Sequence, residues 1–261
     1  AIKAEIEALS TAVDNLGLLG DANEDGKVNV LDYQKVLNMI LDPTLQPEEE
    51  SDLFTNLDIN QSEVIEVGDL TAIVYYILNK NWQGYAAVRG MNATGESLSM
   101  NASPLSEGKQ RIAVSLDNVS AYTAFQMDVV LPEGMTLVGT SLTDRAGQSH
   151  KLYSRTQLDG SIRLLASSVT GETFSGNEGA VLYIDVEGAG NIELLNILFS
   201  DVDAQTRSFS IGNEATGIDT VGTFEALKQK VYDLGGRLKD NLKKGFNIIR
   251  RADGSTQKVV K

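Results

Sequence analysis

A twelve-residue run of oxygen-bearing side chains that occurs twice constrains this chain more than any other feature. Asp21-Ala-Asn23-Glu-Asp25-Gly26-Lys27-Val28-Asn29-Val-Leu-Asp32 leads into a segment whose apolar positions, Val36, Leu37, Ile40 and Leu41, fall on one helical stripe. Thirty-seven residues on, Asp58-Ile-Asn60-Gln-Ser62-Glu63-Val64-Ile65-Glu66-Val-Gly-Asp69 leads into a second stripe of Ile73, Val74, Ile77 and Leu78. Loop and helix register are preserved together, which marks a duplication.

The spacing carries a chemistry. A hard divalent cation takes six to eight oxygens, and loop positions 1, 3, 5, 9 and 12 with the carbonyl at 7 can supply them. In the first loop these are Asp21, Asn23, Asp25, the Lys27 carbonyl, Asn29 and Asp32, with Gly26 at the sharp turn. In the second they are Asp58, Asn60, Ser62, the Val64 carbonyl, Glu66 and Asp69. Glu63 takes the place of the turn glycine there, and a side chain disfavours the left-handed conformation. Ser62 puts a neutral hydroxyl where the first loop has a carboxylate. The first loop is therefore predicted to bind metal more strongly. The competing reading is a solvated acidic turn in which Asp caps the following helix.

Residues 17–80 resemble a dockerin, the small domain of two calcium-loop-plus-helix repeats that plugs into a cohesin. The stretch GDANEDGKVNVLDYQKVLNMIL carries the likeness, including Asp32 at position 12 where an ordinary EF-hand has Glu. The second repeat departs from the family at Glu63 and Ser62. The linker Asp42–Asn56, with Pro43, Pro47 and Glu48-Glu49-Glu50, is longer than usual for it. The resemblance implies Ca2+ at two sites and a cohesin-like partner. It also implies partner recognition by loop positions 10 and 11, here Val30 and Leu31 in repeat one, Val67 and Gly68 in repeat two. Their mismatch argues against symmetric two-way binding. An apolar Val30-Leu31 pair suits a docking face, and helix-start packing accounts for it equally well.

Ahead of the repeats, Ile2, Ile6, Leu9, Val13 and Leu16 form one stripe of an amphipathic helix. Behind them the texture turns to strands. Arg111–Leu116 and Ala124–Leu131 alternate apolar and polar, as a sheet with one wet face should, and Pro132-Glu133-Gly134 signals a turn before Met135–Val138. Ser161–Ala166, Ala180–Val186, Asn191–Phe199 and Ser208–Ile211 add further candidates. Eight or nine short strands over about 125 residues predict an antiparallel β-sandwich. The pieces Phe125-Gln126-Met127-Asp128, Leu131-Pro132-Glu133-Gly134-Met135 and Gly179–Val186 resemble a cohesin or a related carbohydrate-binding sandwich. In the tail, Val231–Leu238, Lys243–Ile249 and Gln257–Lys261 read as short strands, with Asp253-Gly254 as a hairpin turn. The run YDLGGRL, KGFNII and KVVK resembles the C-terminal sorting-type domain of secreted Bacteroidetes-like proteins, which implies export.

Charge follows the same divisions. The net charge of −14 divides into −12 over residues 1–85, −6 over 86–213 and +4 over 214–261. This balance makes nucleic acid an improbable partner. No apolar run reaches the roughly 20 residues of a membrane span. With no cysteine and a single histidine, disulfides, thiol nucleophiles and sites needing two imidazoles are excluded. His150, in the polar stretch Gly147–Lys151, reads as an exposed loop residue. The middle segment holds no tryptophan, and its aromatics, Tyr122, Phe125, Tyr153, Phe174, Tyr183, Phe199 and Phe209, mostly occupy apolar strand positions, which suits core filling better than a sugar platform.

The expectation is a multidomain α plus all-β chain with four segments. These are an amphipathic helix (1–16), a head of dockerin-like paired F-hand helices (17–85), an antiparallel β-sandwich (86–213) and a small C-terminal β-hairpin domain (214–261). The expected function is a non-catalytic, secreted or cell-surface adaptor whose head docks a cohesin-like module, another copy of the chain being one candidate. The alternative is an adhesion protein that binds polysaccharide and uses calcium only structurally.

Overall fold

The computed structural model describes residues 18–82, 85, 91–93, 95–106 and 108–211, with the backbone of four short strands between 230 and 260. The helix expected over 1–16, the Asp253-Gly254 turn and most of the residues carrying the sorting-domain resemblance lie outside the described residues. The chain forms two compact units, Ala1–Gly212 and Asn213–Lys261.

Among the described residues the head contains three α-helices. Helix α1 (Val30–Leu41) begins with a reciprocal cap. The Asn29 side chain accepts from the Leu31 amide (2.9 Å), and Asp32 accepts from the Asn29 amide (2.8 Å). Its buried face holds Tyr33, Val36, Leu37 and Ile40. The long linker is ordered by a 3-10 turn, Pro43–Leu45, and by α2 (Asp52–Leu57), which Ser51 caps. Helix α3 (Val67–Asn79) is buried at every position from Val67 to Val74. A helix packed on one side alone buries only a stripe. This one is covered on two sides.

The second cover is the sandwich of the same unit. Its ten strands are β1 (Met91–Asn92), β2 (Ser97–Ser106), β3 (Lys109–Asp117), β4 (Tyr122–Val130), β5 (Thr136–Leu142), β6 (His150–Thr156), β7 (Ile162–Ser168), β8 (Ala180–Glu187), β9 (Glu193–Asp201) and β10 (Thr206–Phe209). They make a six-stranded sheet, β1-β10-β9-β4-β7-β6, and a four-stranded sheet, β2-β3-β8-β5. Neighbours pair antiparallel except β1 with β10. Phe125, Met127, Leu116, Val114, Leu182 and Phe199 fill the space between the sheets. At one end the buried Arg145 donates to the carbonyls of Leu116, Ser175, Gly176 and Gly179 and to Asn118, tying the loops there.

Two expectations differ from the structure. The wet face expected for β4 is not wet: Gln126 and Asp128 are buried as well as the inward residues. The head covers that face, and Ala124, Leu165 and Ala204 of the sandwich belong to the head's apolar cluster. His150 is not an exposed loop residue. It lies on β6 with 6% exposure, its ring 4.4 Å from that of Phe174. The Gly147 amide donates to Nδ1 (3.0 Å) and Nε2 faces the Thr123 carbonyl (3.1 Å), so both nitrogens are engaged away from Ser149.

The outer face of the six-stranded sheet carries a buried ion pair. Arg163 grips Asp128 through Nε (2.7 Å) and Nη2 (2.8 Å), and Asn196 adds a third donor to Asp128 from a bulge in β9 (2.7 Å). In the second unit β11 (Lys230–Tyr232), β12 (Leu238–Lys239), β13 (Phe246–Arg250) and β14 (Thr256–Val260) form an antiparallel sheet in the order β12-β11-β13-β14.

Asp128→Ala takes the carboxylate from a partly buried guanidinium that keeps only its bond to Ile40, and should cost about 1–3 kcal/mol, read as a lowered urea midpoint. A loss below about 1 kcal/mol would mean that solvent already screens the pair. Burial holds the His150 imidazole below its usual value, against the opposing hydrogen bond to Thr123. The only imidazole signal in the NMR spectrum should therefore titrate below pH 6.5. The stability tied to the neutral ring is complete above pH 6.5 and is lost as pH falls through the ring's own lowered value.

Candidate metal loops and docking face

The two loops share the same five bonds from backbone amides to side-chain oxygens. In the first, Asp21 accepts from the Asp25 (3.2 Å) and Gly26 (2.7 Å) amides, Asn23 from the Asp25 amide (3.1 Å), and Asp32 from the Asn23 (3.1 Å) and Asn29 (2.8 Å) amides. In the second, Asp58 accepts from Ser62 (2.8 Å) and Glu63 (2.9 Å), Asn60 from Ser62 (3.0 Å), and Asp69 from Asn60 (3.1 Å) and Glu66 (2.9 Å). Backbone conformation repeats too. Glu24 and Gln61 at position 4 have φ of 60° and 58°, and Gly26 and Glu63 at position 6 have 79° and 69°. Glu63 thus adopts the left-handed turn that its side chain disfavours, at a cost of about 1–2 kcal/mol. The obstacle read from the sequence takes the form of strain within an unchanged loop. The Gly20 amide donates to the Asn56 carbonyl (2.8 Å), joining the entrances of the two loops.

The loop residues differ in depth. Asp21, Asp32, Asn60, Glu66 and Asp69 are buried, Asn23, Asn29, Asp58 and Ser62 half-buried, and Asp25, Lys27 and Val64 exposed. The ion pairs among the described residues involve none of the loop carboxylates. Burial raises the Glu66 carboxyl to about 7, against a hydrogen bond from Asn60 (3.2 Å). Burial also lifts Asp69 well above the ordinary carboxylate range despite its two amide donors. Among the described residues no three His, Asp or Glu side chains converge as a preformed cluster. The donors are a mixture of carboxylate, amide and backbone oxygens, the set a calcium-like cation accepts. Buried acids with no cationic neighbour, together with these oxygens, fit a divalent cation. The two sets named from the sequence would hold it, and the ion would supply the missing positive charge.

Beside the loops the two repeats part company. Val30 and Leu31 are 57% and 59% exposed, and Gln34 and Asn38 continue that exposed face along α1. Val67 and Gly68 are buried on the sandwich. The Val67 amide donates to Gln126 Oε1 (2.8 Å). A Cβ placed on Gly68 would lie 2.2 Å from Thr206 Oγ1 and 2.5 Å from Asn60 Nδ2, so a side chain enters there only if both shift. At the far end of α1, Arg163 donates to the Ile40 carbonyl (3.1 Å), Gln157 to the Leu41 carbonyl (3.0 Å), and Arg155 pairs with the Asp42 carboxylate. The Tyr33 and Ser167 hydroxyls meet at 2.6 Å, and burial pushes the Tyr33 phenol up to about 12. Gln126, Arg155, Gln157, Arg163, Ser167 and Thr206 escape sequence reasoning, because a polar residue on the outer face of a strand looks the same whether or not something covers it.

Residues 19–78 match the family model described as the dockerin type I domain. Solved structures similar to this chain include the sixth cohesin of scaffoldin B from Acetivibrio cellulolyticus, in complex with a dockerin. It is 12% identical, covers 46% of this chain and 96% of that one, and has a TM-score of 0.40. A type II cohesin from Bacteroides cellulosolvens is 12% identical over 45% and 95%, with a TM-score of 0.37. A non-cellulosomal cohesin from Archaeoglobus fulgidus is 11% identical over 45% and 86%, also at 0.37. No curated protein matches the chain.

Glu63→Gly should relieve the left-handed strain and stabilise the chain by roughly 0.5–1 kcal/mol after the added flexibility of the unfolded state. Gly26→Ala should cost about 1 kcal/mol. Thermal melts at fixed calcium read both, and a destabilising Glu63→Gly would show that the Glu63 side chain has a contact worth more than the strain.

Proposed function

We propose that the chain is a non-catalytic adaptor in which a dockerin-like head, shaped by two calcium ions, presents the Val30–Leu31 face to a cohesin-type module of another protein. The observation that carries this reading is the repeated loop network, with its buried and otherwise uncompensated acids. Asp21, Asn23, Asp25, Asn29, Asp32 and the Lys27 carbonyl hold the first ion; Asp58, Asn60, Ser62, Glu66, Asp69 and the Val64 carbonyl hold the second. With the carboxylates neutralised, the starts of α1 and α3 are fixed and the face beside them is rigid. The first site binds more tightly, because Gly26 turns without strain and Asp25 carries a charge that Ser62 lacks.

The glycan-binding alternative is less well supported. Tyr122, Phe125, Phe174 and Phe199 are buried, Tyr153 packs against the head, and Tyr183 lies under the Arg111 guanidinium at 4.8 Å. A secreted or cell-surface location accords with calcium-dependent loops and with the tail's resemblance to sorting domains. No helix among the described residues is long and apolar enough to cross a membrane.

Calcium calorimetry on the full chain should give two sites, with Asp21→Ala losing more affinity and more calcium-linked thermal stability than Asp58→Ala. Equal losses would reverse the ranking, and absent heats would remove the reading. Against a panel of purified cohesin modules, Leu31→Asp should abolish binding while leaving the calcium stoichiometry intact.

A further inference from the structure

The first-repeat and second-repeat faces of the head are related by the duplication, yet one is exposed and the other is covered by the sandwich. We propose that the second repeat is permanently seated on the sandwich of its own chain, and that the seat accepts the head in one orientation only. A partner protein is then left with the first-repeat face alone, and a second copy of the chain cannot take the seat by presenting its first repeat. The consequence for a partner rests on the docking function proposed above; the seating itself does not.

The argument comes from exchanging each contact for its counterpart thirty-seven residues away. Turning the head about its internal symmetry would bring Leu31 to the place of Gly68, where even a Cβ meets Thr206 Oγ1 at 2.2 Å. Thr206 is wholly buried on β10 opposite Ser200 of β9, so a side chain in that place would have to displace it. The same turn would put Asn79 in the place of Asp42, leaving Arg155 without its carboxylate. It would also put Leu70 in the place of Tyr33, leaving the Ser167 hydroxyl without the phenol it now meets. The turn thus costs a collision at one place and a buried hydroxyl's partner at another, with the half-exposed Arg155 pair lost as a minor third. In the observed orientation, by contrast, the Val67 amide, a helix-start donor with no partner inside the helix, is satisfied by Gln126.

The chain contains no cysteine, so an engineered pair reports without background. A Cβ on Gly68 falls 3.4 Å from Thr206 Cβ, close to the roughly 3.5–4.5 Å spanned by a disulfide. Mild oxidation of the full-length Gly68→Cys/Thr206→Cys double variant in calcium buffer should yield a monomer two hydrogens lighter, with no free thiol. Two free thiols, or a disulfide-linked dimer, would overturn the proposal. Because Asn60 must yield to the new side chain, hydrogen exchange on the unaltered chain provides the second test. The Val67 amide should exchange about tenfold or more slowly than its counterpart, Val30. Equal rates would overturn the seating. Gly68→Leu, whose side chain meets Thr206 and Asn60, should abolish the difference. A chain that binds two calcium ions but fails either test would refute this inference and leave the docking function standing.

Discussion

Backbone groups at two helix ends leave water when the head meets the six-stranded sheet, and each needs a partner that the head itself does not possess. The Val67 amide takes Gln126; the Ile40 and Leu41 carbonyls take Arg163 and Gln157. A buried polar group without a partner costs about 1–3 kcal/mol, so three such groups together would offset much of what a small apolar contact contributes. The partners are themselves fixed. Arg163 is clamped by Asp128, and Asp128 is held by Asn196, whose left-handed backbone (φ 50°) marks the β9 bulge. A local irregularity in one strand therefore supports the C-terminal end of a helix in the neighbouring module.

Within the head, Asp32 and Asp69 each serve two purposes. Each is the third residue of its helix, accepting the amide of the residue that caps it, and each stands at position 12 of its loop. On the proposed function, ion binding and helix initiation would be one event in each repeat. Glu63 shows how firmly the network dictates backbone shape. The amide bonds to Asp58 hold a glutamate in a conformation usually left to glycine.

What the sequence discloses depends on how local its cause is. The loops, the helix starts and the helix stripes were legible because the interacting atoms lie within about a dozen residues of one another. Strands β3 and β4 were legible from alternation, β5 and β7 to β9 were located as apolar stretches, and the candidate Ser208–Ile211 meets β10 only at Ser208 and Phe209. Strand β2 was not, because most of its side chains are exposed and follow no apolar pattern, and β6 was not, because polar residues surround His150. The larger gap was the covered face. Gln126 and Arg163 sit at alternating polar positions that ordinarily face water, and only the arrival of a helix pair, far off in sequence, turns them into anchors. Exposure of His150 was misjudged for a related reason: strand pairing with Ser168 and the ring of Phe174 set its environment, and neither is a near neighbour along the chain.

A sheet clad on both faces has also lost its modular independence. Linked domains that touch lightly can be shuffled between genes, but here a cut after the head would expose Ala124 and Leu165 on one fragment and the covered side of α3 on the other. Neither fragment would have the surface of a self-sufficient protein, so inheritance should keep the pair together. Residues on the two sides of the seam are expected to change in step across descendants.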